Sequence, residues 1–411
     1  MRATKHSGVD WLGDIPADWL VRPLKRNTYI KARVGWKGLT SDEFEVESFA
    51  YLVTGRDFSS KVIDFSECYQ VSQERYLDDP FIQLKQGDIL ITKDGTIGKT
   101  AWVNELDKPA CLNSGIFVVR PRADYISEFL FWVLESAVFK EFIRLVSSGS
   151  TIQHLYQNVF ENFSFGIPPV EEQRRIADFL DRETAKIDTL IAKQEQLITT
   201  LDERRNAFTS LLFARISDEG IRRRVSAVAQ LINGFPFDSE SFDIFGEVPL
   251  VRIRDILSDE FETFVPRNSV PGKAWIRNGD IVIGMDGDFN LKLWNRGAAA
   301  LNQRVCVLRT PEPIIGSWIA HCLPAELKKI NDLTYATTVK HLSSTQIARI
   351  MIPMPELPEM NKVAKQLDRE HAGIDKLLRR IRETQTLLRE RRQALISAAV
   401  TGKLEVADGY S

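Results

Sequence analysis

The sequence contains few of the residues that build disulfide frameworks and metal sites. Of its 411 residues, 4 are cysteines and 5 are histidines. The cysteines show no C-x-x-C spacing, and the histidines do not stand at the intervals typical of metal ligands. We therefore expect neither a disulfide framework nor a structural metal, and this cysteine usage fits a reducing cytoplasm. The cysteines are Cys68, Cys111, Cys306 and Cys322.

Long apolar runs and an excess of one charge are also missing. Nowhere do about 18 consecutive apolar residues occur, and the first nineteen residues lack the apolar centre of a signal peptide. We therefore expect a cytoplasmic protein without a membrane span. Lysine and arginine number 54 and aspartate and glutamate 56, so any nucleic-acid partner must be bound by local basic patches.

Most enzyme signatures are absent as well. The sequence has no HExxH, GxSxG or GxGxxG motif. The segment KDGTIGKT, residues 93–100, is two residues too short for a phosphate-binding P-loop, and its Lys93 occupies the place of the first glycine. Residues 78–81, DDPF, lack the second proline of the motif found in adenine methyltransferases. We expect no catalytic residue, metal or cofactor in this chain, although a nuclease site of scattered Asp, Glu and Lys stays an alternative.

What the sequence does contain is a long internal repeat. Residues 176–207 align without a gap on residues 363–394, at a separation of 187. Upstream, LKQGDILITKDG at 84–95 matches IRNGDIVIGMDG at 276–287, at a separation of 192. The order of matched segments is the same in both halves. The chain therefore reads as one unit written twice, a globular part followed by a helix.

The globular parts, about residues 20–165 and 225–350, contain short β-branched runs such as DILIT and IFVVR, separated by Gly-Asp and Asp-Gly turns. An amphipathic stretch from Ser127 to Val146 predicts a helix. The fold class is therefore α+β, a mixed α/β arrangement. The predicted segments are an N-terminal arm and first globular domain (1–165), a central helix (166–215), a second globular domain (216–350) and a distal helix with a tail (351–411).

Both long helices are predicted to begin after proline-marked turns, with glutamates in the first turn. Apolar residues then recur at seven-residue steps, which is typical of coiled coils. A helix from Glu171 to about Phe213 would extend roughly 65 Å, which suits a spacer. We predict two antiparallel helices related by a pseudo-two-fold axis. Their interface is predicted to consist of Leu180, Ile187, Leu190, Leu197, Leu201, Phe208, Leu367, Ile374, Leu377, Ile381, Leu388 and Leu395.

Two related modules on a rigid spacer suit two separated sites on one extended partner, and duplex DNA is the natural candidate. The pattern resembles the specificity subunits of type I restriction-modification systems. The resemblance lies in SGVDWLGDIPADW, GDILITKDGTIGK, SGSTIQHL, IPPVEEQRRIADFLDRETAKIDTLIAKQEQLI, LNQRV and ERRQALISAAVTG, in this order. It covers essentially the whole chain.

The resemblance implies a non-catalytic subunit with two target-recognition domains, each reading one half of an asymmetric bipartite DNA site. It also implies helices that set the spacing and dock two methyltransferase subunits, with restriction subunits joining the larger complex. S-adenosylmethionine, ATP and Mg are then expected on the partners. The alternative from another class is a coiled-coil scaffold that binds only proteins.

The candidate DNA-binding residues lie in loops repeated between the two halves, where side chains reach base edges or phosphates. For most of these loops an ordinary turn or a structural asparagine is the competing interpretation. Gln303 and Arg304 are better candidates than Asn302, because residues that distinguish bases should differ between the copies. The candidates are Lys93, Asp94, Thr96, Lys99, Asn113, Ser114, Thr151, Gln153, His154, Asp286, Asp288, Asn290, Lys292, Gln303, Arg304, Thr338, Lys340 and His341.

Two further features concern the ends of the globular parts. Trp11 and Trp19 are expected to pack an N-terminal arm, with the final helix as its support. The run Arg222 to Arg224 is either a clamp on the DNA backbone or a solvated linker.

Overall fold

The computed structural model describes residues 2–33, 39–147, 154–217, 221–258, 260–333 and 340–406. The chain forms two compact units. The first unit comprises residues 1–194 and 383–411, and the second unit comprises residues 195–382. Each long helix therefore contributes one part to each unit.

The first unit contains eleven strands and four short helices before its long helix among the described residues. The strands are β1 (Thr4–His6), β2 (Asp14–Pro16), β3 (Leu20–Pro23), β4 (Thr28–Ala32), β5 (Ala50–Val53), β6 (Tyr69–Val71), β7 (Ile89–Thr92), β8 (Thr100–Trp102), β9 (Ala110–Leu112), β10 (Ile116–Pro121) and β11 (Ser164–Ile167). The helices are α1 (Gln73–Leu77), α2 (Ser127–Glu135), α3 (Ala137–Ser147) and α4 (Gln157–Phe160). The long helix α5 runs over Val170–Ser217.

The second unit continues from α5 with ten strands and three short helices in the described part of the chain. Its strands are β12 (Arg222–Arg224), β13 (Gln230–Asn233), β14 (Val248–Val251), β15 (Phe264–Val265), β16 (Trp275–Ile276), β17 (Ile281–Gly284), β18 (Leu291–Leu293), β19 (Ala299–Leu301), β20 (Val305–Arg309) and β21 (Met351–Pro353). Its helices are α6 (Val225–Val228), α7 (Pro313–Leu333) and α8 (Ser344–Arg349), and the second long helix α9 covers Leu357–Val400.

The main sheets of the two units have the same strand order. In the first unit the order is β4-β10-β7-β8, with every pair antiparallel. In the second unit it is β13-β20-β17-β18, again antiparallel throughout. A second sheet in each unit contains one parallel pair, β5 with β9 and β14 with β19. These sheets confirm the mixed α/β class that the strand patterns predict.

The apolar core of the first unit includes both long helices. Ile176 and Leu180 near the start of α5 lie in one buried cluster with Ile396 and Val400 at the end of α9. Trp19, fully buried in this cluster, donates from Nε1 to Glu172 Oε2 at 3.2 Å. Trp19 therefore packs the N-terminal arm against the start of α5, in a buried cluster that also contains the end of α9.

The second unit has the corresponding arrangement. Ile216 near the end of α5 and Met360 near the start of α9 lie in the cluster that contains Trp318 of α7. Trp318 is fully buried and donates from Nε1 to the Pro353 carbonyl at 2.7 Å. Burial of this large aromatic side chain fixes α7 against the strand that leads into α9.

Three predicted elements differ in the structure. The stretch from Ser127 to Val146 forms two helices, because the Ser136 backbone is extended and its hydroxyl donates to the Val133 carbonyl. Helix α5 extends beyond Phe213 to Ser217. The arginine run at 222–224 is not an irregular linker, since it forms the exposed strand β12 paired with β21, and a clamp on the DNA backbone there stays a prediction.

The buried seams of the long helices differ in part from the prediction. One predicted seam is buried at Leu180, Ile187, Leu201, Leu367 and Ile374 and half-buried at Phe208, Ile381, Leu388 and Leu395. The other was wrong, because Leu190, Leu197 and Leu377 are about half exposed. The second buried seam lies one residue further on. It contains Thr184, Ile191, Ile198, Arg205, Leu212, His371, Leu378 and Gln385.

The sequence pattern did not predict this second seam, because polar residues interrupt it. It alternates with the first seam in steps of four and three residues, as a heptad repeat allows. Because Thr184, His371 and Gln385 interrupt it, the leucines one position earlier present the more continuous apolar pattern.

Among the described residues, no helix has the length and apolarity needed to cross a membrane.

Candidate nucleic-acid interface

Three segments of the first unit meet at one edge of its main sheet. Because β7 and β10 are antiparallel, with Thr92 opposite Ile116, the segment after β7 and the segment before β10 share this edge. The Lys93 N–H donates to the Gly115 carbonyl at 2.9 Å, and the Leu155 N–H donates to the Lys93 carbonyl at 2.8 Å. The edge therefore combines the loops at 93–99, 113–115 and 154–156.

The second unit builds the same edge from its own loops. The Met285 N–H donates to the Arg304 carbonyl at 3.0 Å, and the Leu342 N–H donates to the Met285 carbonyl at 2.7 Å. The loops after β17, before β20 and before α8 are thereby joined. Several of the predicted candidates are thus brought together within each unit. We call these two surfaces the first and the second loop edge.

A histidine and an aspartate pair across each loop edge. His154 Nδ1 hydrogen-bonds to Asp94 Oδ1 in the first unit, and His341 Nδ1 lies 2.6 Å from Asp286 Oδ1 in the second. The same pairs of residues also form antiparallel backbone bridges. These side chains therefore join two loops of the same unit.

The two asparagines have local backbone partners. Asn113 Oδ1 accepts from the Ser114 N–H at 2.8 Å, and Asn302 Oδ1 accepts from the Arg304 N–H at 3.4 Å. Their own N–H groups donate to the carbonyls of Val53 and Val251. The structural interpretation of these asparagines is therefore the better one, because their side-chain oxygens shape the turns in which they lie.

Two candidate lysines also have partners within their units. Lys93 is 13% exposed in its side chain, and its Nζ lies 3.4 Å from Asp94. Lys340 Nζ donates to the carbonyl and to Oδ1 of Asn331, at 2.9 and 2.7 Å. These ammonium groups stabilise the loops, and a phosphate would have to compete with those partners.

The remaining candidates differ in exposure. Thr96, Lys99, Asp288, Gln303 and Arg304 are exposed, whereas Ser114 and Asn290 are half-buried. Lys292 does not lie in a loop as predicted, since it belongs to β18 and pairs with Val282. Thr151, Gln153 and Thr338 lie outside the described residues.

A cleft beside the second loop edge contains arginines that sequence reasoning missed. It has a volume of about 660 Å³, and its lining includes Arg252, Arg254, Asn290, Gln303 and Arg304. The first two follow β14, far from the candidate loops in sequence. A signal was present, because the Arg-Asp pair at 56–57 recurs at 254–255.

An ion pair with a buried aspartate joins two strands of each main sheet at the strand ends opposite the loop edge. Arg120 pairs with Asp88 in the first unit, and Arg309 Nη2 lies 2.7 Å from Asp280 in the second. Both aspartates are nearly fully buried. The hydrogen bond to Asp280 raises the pKa of the Arg309 guanidinium. These pairs tie β10 to the turn before β7 in the first unit and β20 to the turn before β17 in the second unit.

The cysteines are buried and poorly suited to nucleophilic chemistry. Burial raises the pKa of Cys68 and of Cys306 to about 12 and that of Cys111 to about 11, and it also raises the pKa of Cys322. A thiol with such a pKa is protonated near neutral pH. Within the described residues, no cluster of three or more His, Cys, Asp and Glu side chains is arranged to hold a metal ion.

Comparison with known proteins identifies the family. The family model described as type I restriction modification DNA specificity domain matches residues 47–200 and 222–384, which is more than half of the chain. The chain belongs to this specificity-domain family. The two matched stretches fall largely on the two globular parts, so both units carry the family's sequence pattern.

Relatives with curated descriptions agree with this assignment. The EcoBI specificity subunit of Escherichia coli is 38% identical over 195 residues, which are 47% of this chain and 41% of that subunit. The putative MjaX specificity subunit of Methanocaldococcus jannaschii is 24% identical over 428 residues, 96% of each chain. The chain thus matches less than half the length of the Escherichia coli relative and nearly the full length of the archaeal one.

One solved structure has a fold similar to that of this chain. It comes from work on the complex assembly and conformational transition of the type I R-M system. The TM-score is 0.58 at 18% identity, with 95% of this chain and 99% of that chain covered. This likeness supports the mixed α/β fold with two domains.

Proposed function

We propose that this chain is the DNA-specificity subunit of a type I restriction-modification complex, in which each unit reads one half of an asymmetric bipartite duplex site. One observation carries the proposal: the specificity-domain family model matches both halves of the chain separately. Each half also places exposed or half-exposed polar loops at one edge of its main sheet. Such an edge can present side chains to a DNA groove.

The proposed subunit is an internal duplication with a pseudo-two-fold axis and a coiled-coil pair of helices. The common strand order of the two main sheets supports the duplication. Within the second unit, Leu201 of α5 lies in one buried cluster with Ile374 of α9. Further along α5, Ile216 lies in a cluster with Met360, which is earlier in α9, and this order supports antiparallel pairing of the two helices. The globular and helical segments would then meet near residues 165, 215 and 350.

The long helices would set the spacing between half-sites and dock two methyltransferase subunits, with restriction subunits joining the larger complex. The chain itself would contribute no catalytic group, while S-adenosylmethionine, ATP and Mg would bind to the partners.

The test uses the chain assembled with its methyltransferase subunits. Methylated adenines mapped in a genome that carries the complex should define one bipartite motif. Binding to that duplex should weaken steeply with salt, because phosphate contacts release counterions. A chain that binds only other proteins would give no motif and no salt-dependent DNA binding, and metal-dependent cleavage by the isolated chain would favour a nuclease instead.

An insertion variant tests whether the long helices set the spacing between the half-sites. A copy of residues 188–194 inserted after Gln194 adds one heptad to α5 without changing the phase of its seams. We expect a longer gap between half-sites and the same bases in each. An insertion that changes the bases but not their separation would contradict the role of the helices as a spacer.

A further inference from the structure

The two loop edges differ in the residue that precedes β10 in the first unit and β20 in the second unit. In the first unit this residue is Gly115, whose carbonyl accepts from the Lys93 N–H. In the second unit it is Arg304, whose carbonyl accepts from the Met285 N–H. The two positions are therefore equivalent in the fold. The second unit presents a guanidinium where the first has no side chain.

Asp286 orients this guanidinium. Arg304 Nη1 lies 3.3 Å from Asp286 Oδ2, while the other carboxylate oxygen holds His341 Nδ1 at 2.6 Å. Asp286 is 16% exposed in its side chain, but Arg304 is 58% exposed. A largely buried carboxylate, itself fixed by a histidine, thus holds one nitrogen of an arginine that reaches into solvent.

In the first loop edge the aspartate lies beside a lysine that is mostly buried. Asp94 is bound by His154 and lies 3.4 Å from Lys93 Nζ. The Lys93 side chain is 13% exposed, and its Nζ lies 5.9 Å from the centre of the Phe117 ring. The cation beside Asp94 is therefore turned toward the interior, whereas the cation beside Asp286, Arg304, is turned toward solvent.

The cleft beside Arg304 carries additional positive charge. Arg254 is 52% exposed, and its Nη2 lies 2.8 Å from Oε2 of Glu262, which is 64% exposed. An exposed ion pair of this kind contributes little stability, so a phosphate can replace Glu262 at small cost. Arg252 lines the same cleft.

The corresponding positions of the first unit are less basic. The N–H of Thr54 donates to Asp57 as that of Arg252 donates to Asp255, so Thr54 stands where the second unit has Arg252. Arg56 likewise corresponds to Arg254. The second unit therefore has two more arginines at these positions, Arg252 and Arg304.

We propose that Arg304 reads a guanine in the half-site of the second unit, that Arg254 binds a neighbouring phosphate, and that Asp286 is a positioning residue for Arg304. Asp286 engages Nη1, and within the described residues Nε and Nη2 of Arg304 have no hydrogen-bond partner. An arginine fork donates to both O6 and N7 of guanine in the major groove. This inference rests on the proposed function and adds which base is read and which residue reads it.

The experiment measures adenine methylation by the complete complex on duplexes with every single-base change in both half-sites. In Arg304→Gln and Arg304→Lys, discrimination at one guanine of one half-site should fall about 10- to 100-fold. The other half-site is the internal control and should be unchanged. In Arg254→Gln, binding should weaken uniformly across sequences, and the slope of log affinity against log salt should decrease by about one.

The positioning role has its own readout. Asp286→Asn should relax the same guanine as Arg304→Gln, without a uniform loss of affinity, because only the orientation of the guanidinium changes. Asp368→Asn, at a carboxylate of α9 that lies 2.8 Å from His321 Nε2 and outside the candidate loops, is the matched control and should leave every base position unchanged.

The outcomes separate this inference from the proposed function. If the wild-type complex methylates a bipartite site that contains no guanine, or if the Arg304 variants keep full discrimination, the inference is overturned and the proposed function stands. If the wild-type complex shows no sequence-specific methylation, the proposed function fails, and the inference fails with it.

Discussion

Arg392 donates from Nε to Asp188 Oδ1 at 2.9 Å and joins α9 to α5 within the first unit. Within the second unit, Arg205 makes the corresponding contact with Asp375. Asp188 and Asp375 are 187 residues apart, as are Arg205 and Arg392. The same contact is thus made twice with the roles of the two helices exchanged, which fits the proposed duplicated antiparallel pair.

We predict that these ion pairs determine alignment more than stability. Because all four side chains are partly exposed, each pair should contribute about 0–1 kcal/mol. Asp188→Arg should destabilise the protein by bringing two cations together, and adding Arg392→Asp should restore most of the loss. Urea unfolding of the single and double variants gives the coupling energy. Purely additive effects would show that the two charges do not interact.

The second seam gives a prediction with neighbouring residues as test and control. Leu378 is 4% exposed and packs with Leu201 and Ile374, whereas Leu377 is 48% exposed. Leu378→Ala should lower the free energy of unfolding by about 2–4 kcal/mol, because it leaves a cavity. Leu377→Ala should change it by less than about 0.5 kcal/mol. Equal losses in urea unfolding would place both leucines on the seam.

Two glycines of α9 and its C-terminal turn should respond in opposite directions to alanine. Gly402 has φ of +69°, and a Cβ there would lie 2.3 Å from Pro16 Cγ beside Trp19. Gly402→Ala should therefore destabilise the first unit by about 1–3 kcal/mol. Gly373 is exposed within α9 and has no heavy atom near an added Cβ. Gly373→Ala should stabilise the protein by about 1 kcal/mol, and thermal unfolding measures both.

Stability below neutral pH should depend on His371 in the second unit. Its Nε2 lies 3.1 Å from Thr209 Oγ1, and its ring centre is 5.1 Å from that of His321. Burial first, and then the charges of His321 and Arg205, lower the pKa of His371. Asp375 and Asp368 act in the opposite direction but do not compensate.

The direction of this pH dependence follows from which state binds the proton on His371. Because the folded state holds His371 neutral at a pH where the unfolded chain binds a proton, stability is lost as pH falls below the ordinary histidine pKa of about 6.5. Between pH 7.5 and 5.5 the wild type should lose more unfolding free energy than His371→Gln. His6→Gln, at an exposed histidine of the first unit, is the control and should match the wild type. Identical pH profiles for all three proteins would contradict the prediction.

Features that depend on neighbours in the sequence were predictable from it. The strands β7 and β17, the starts of the long helices and the repeat of 187 residues follow from local periodicity, prolines and glutamates. The loops of each candidate site were found for the same reason, since a turn between two apolar runs is a local pattern.

Features that depend on distant neighbours were decided only by the tertiary structure. It selected Leu378 over Leu377 for the seam, turned Lys93 inward beside Asp94, and brought Arg254 to the same cleft as Arg304. Each outcome depends on the pairing of segments far apart in the chain, and a side chain's neighbours across such pairings are set by sheet register and helix packing. The amino-acid sequence therefore determined the elements and their repetition, while packing between distant elements determined which side chains face each other and which face solvent.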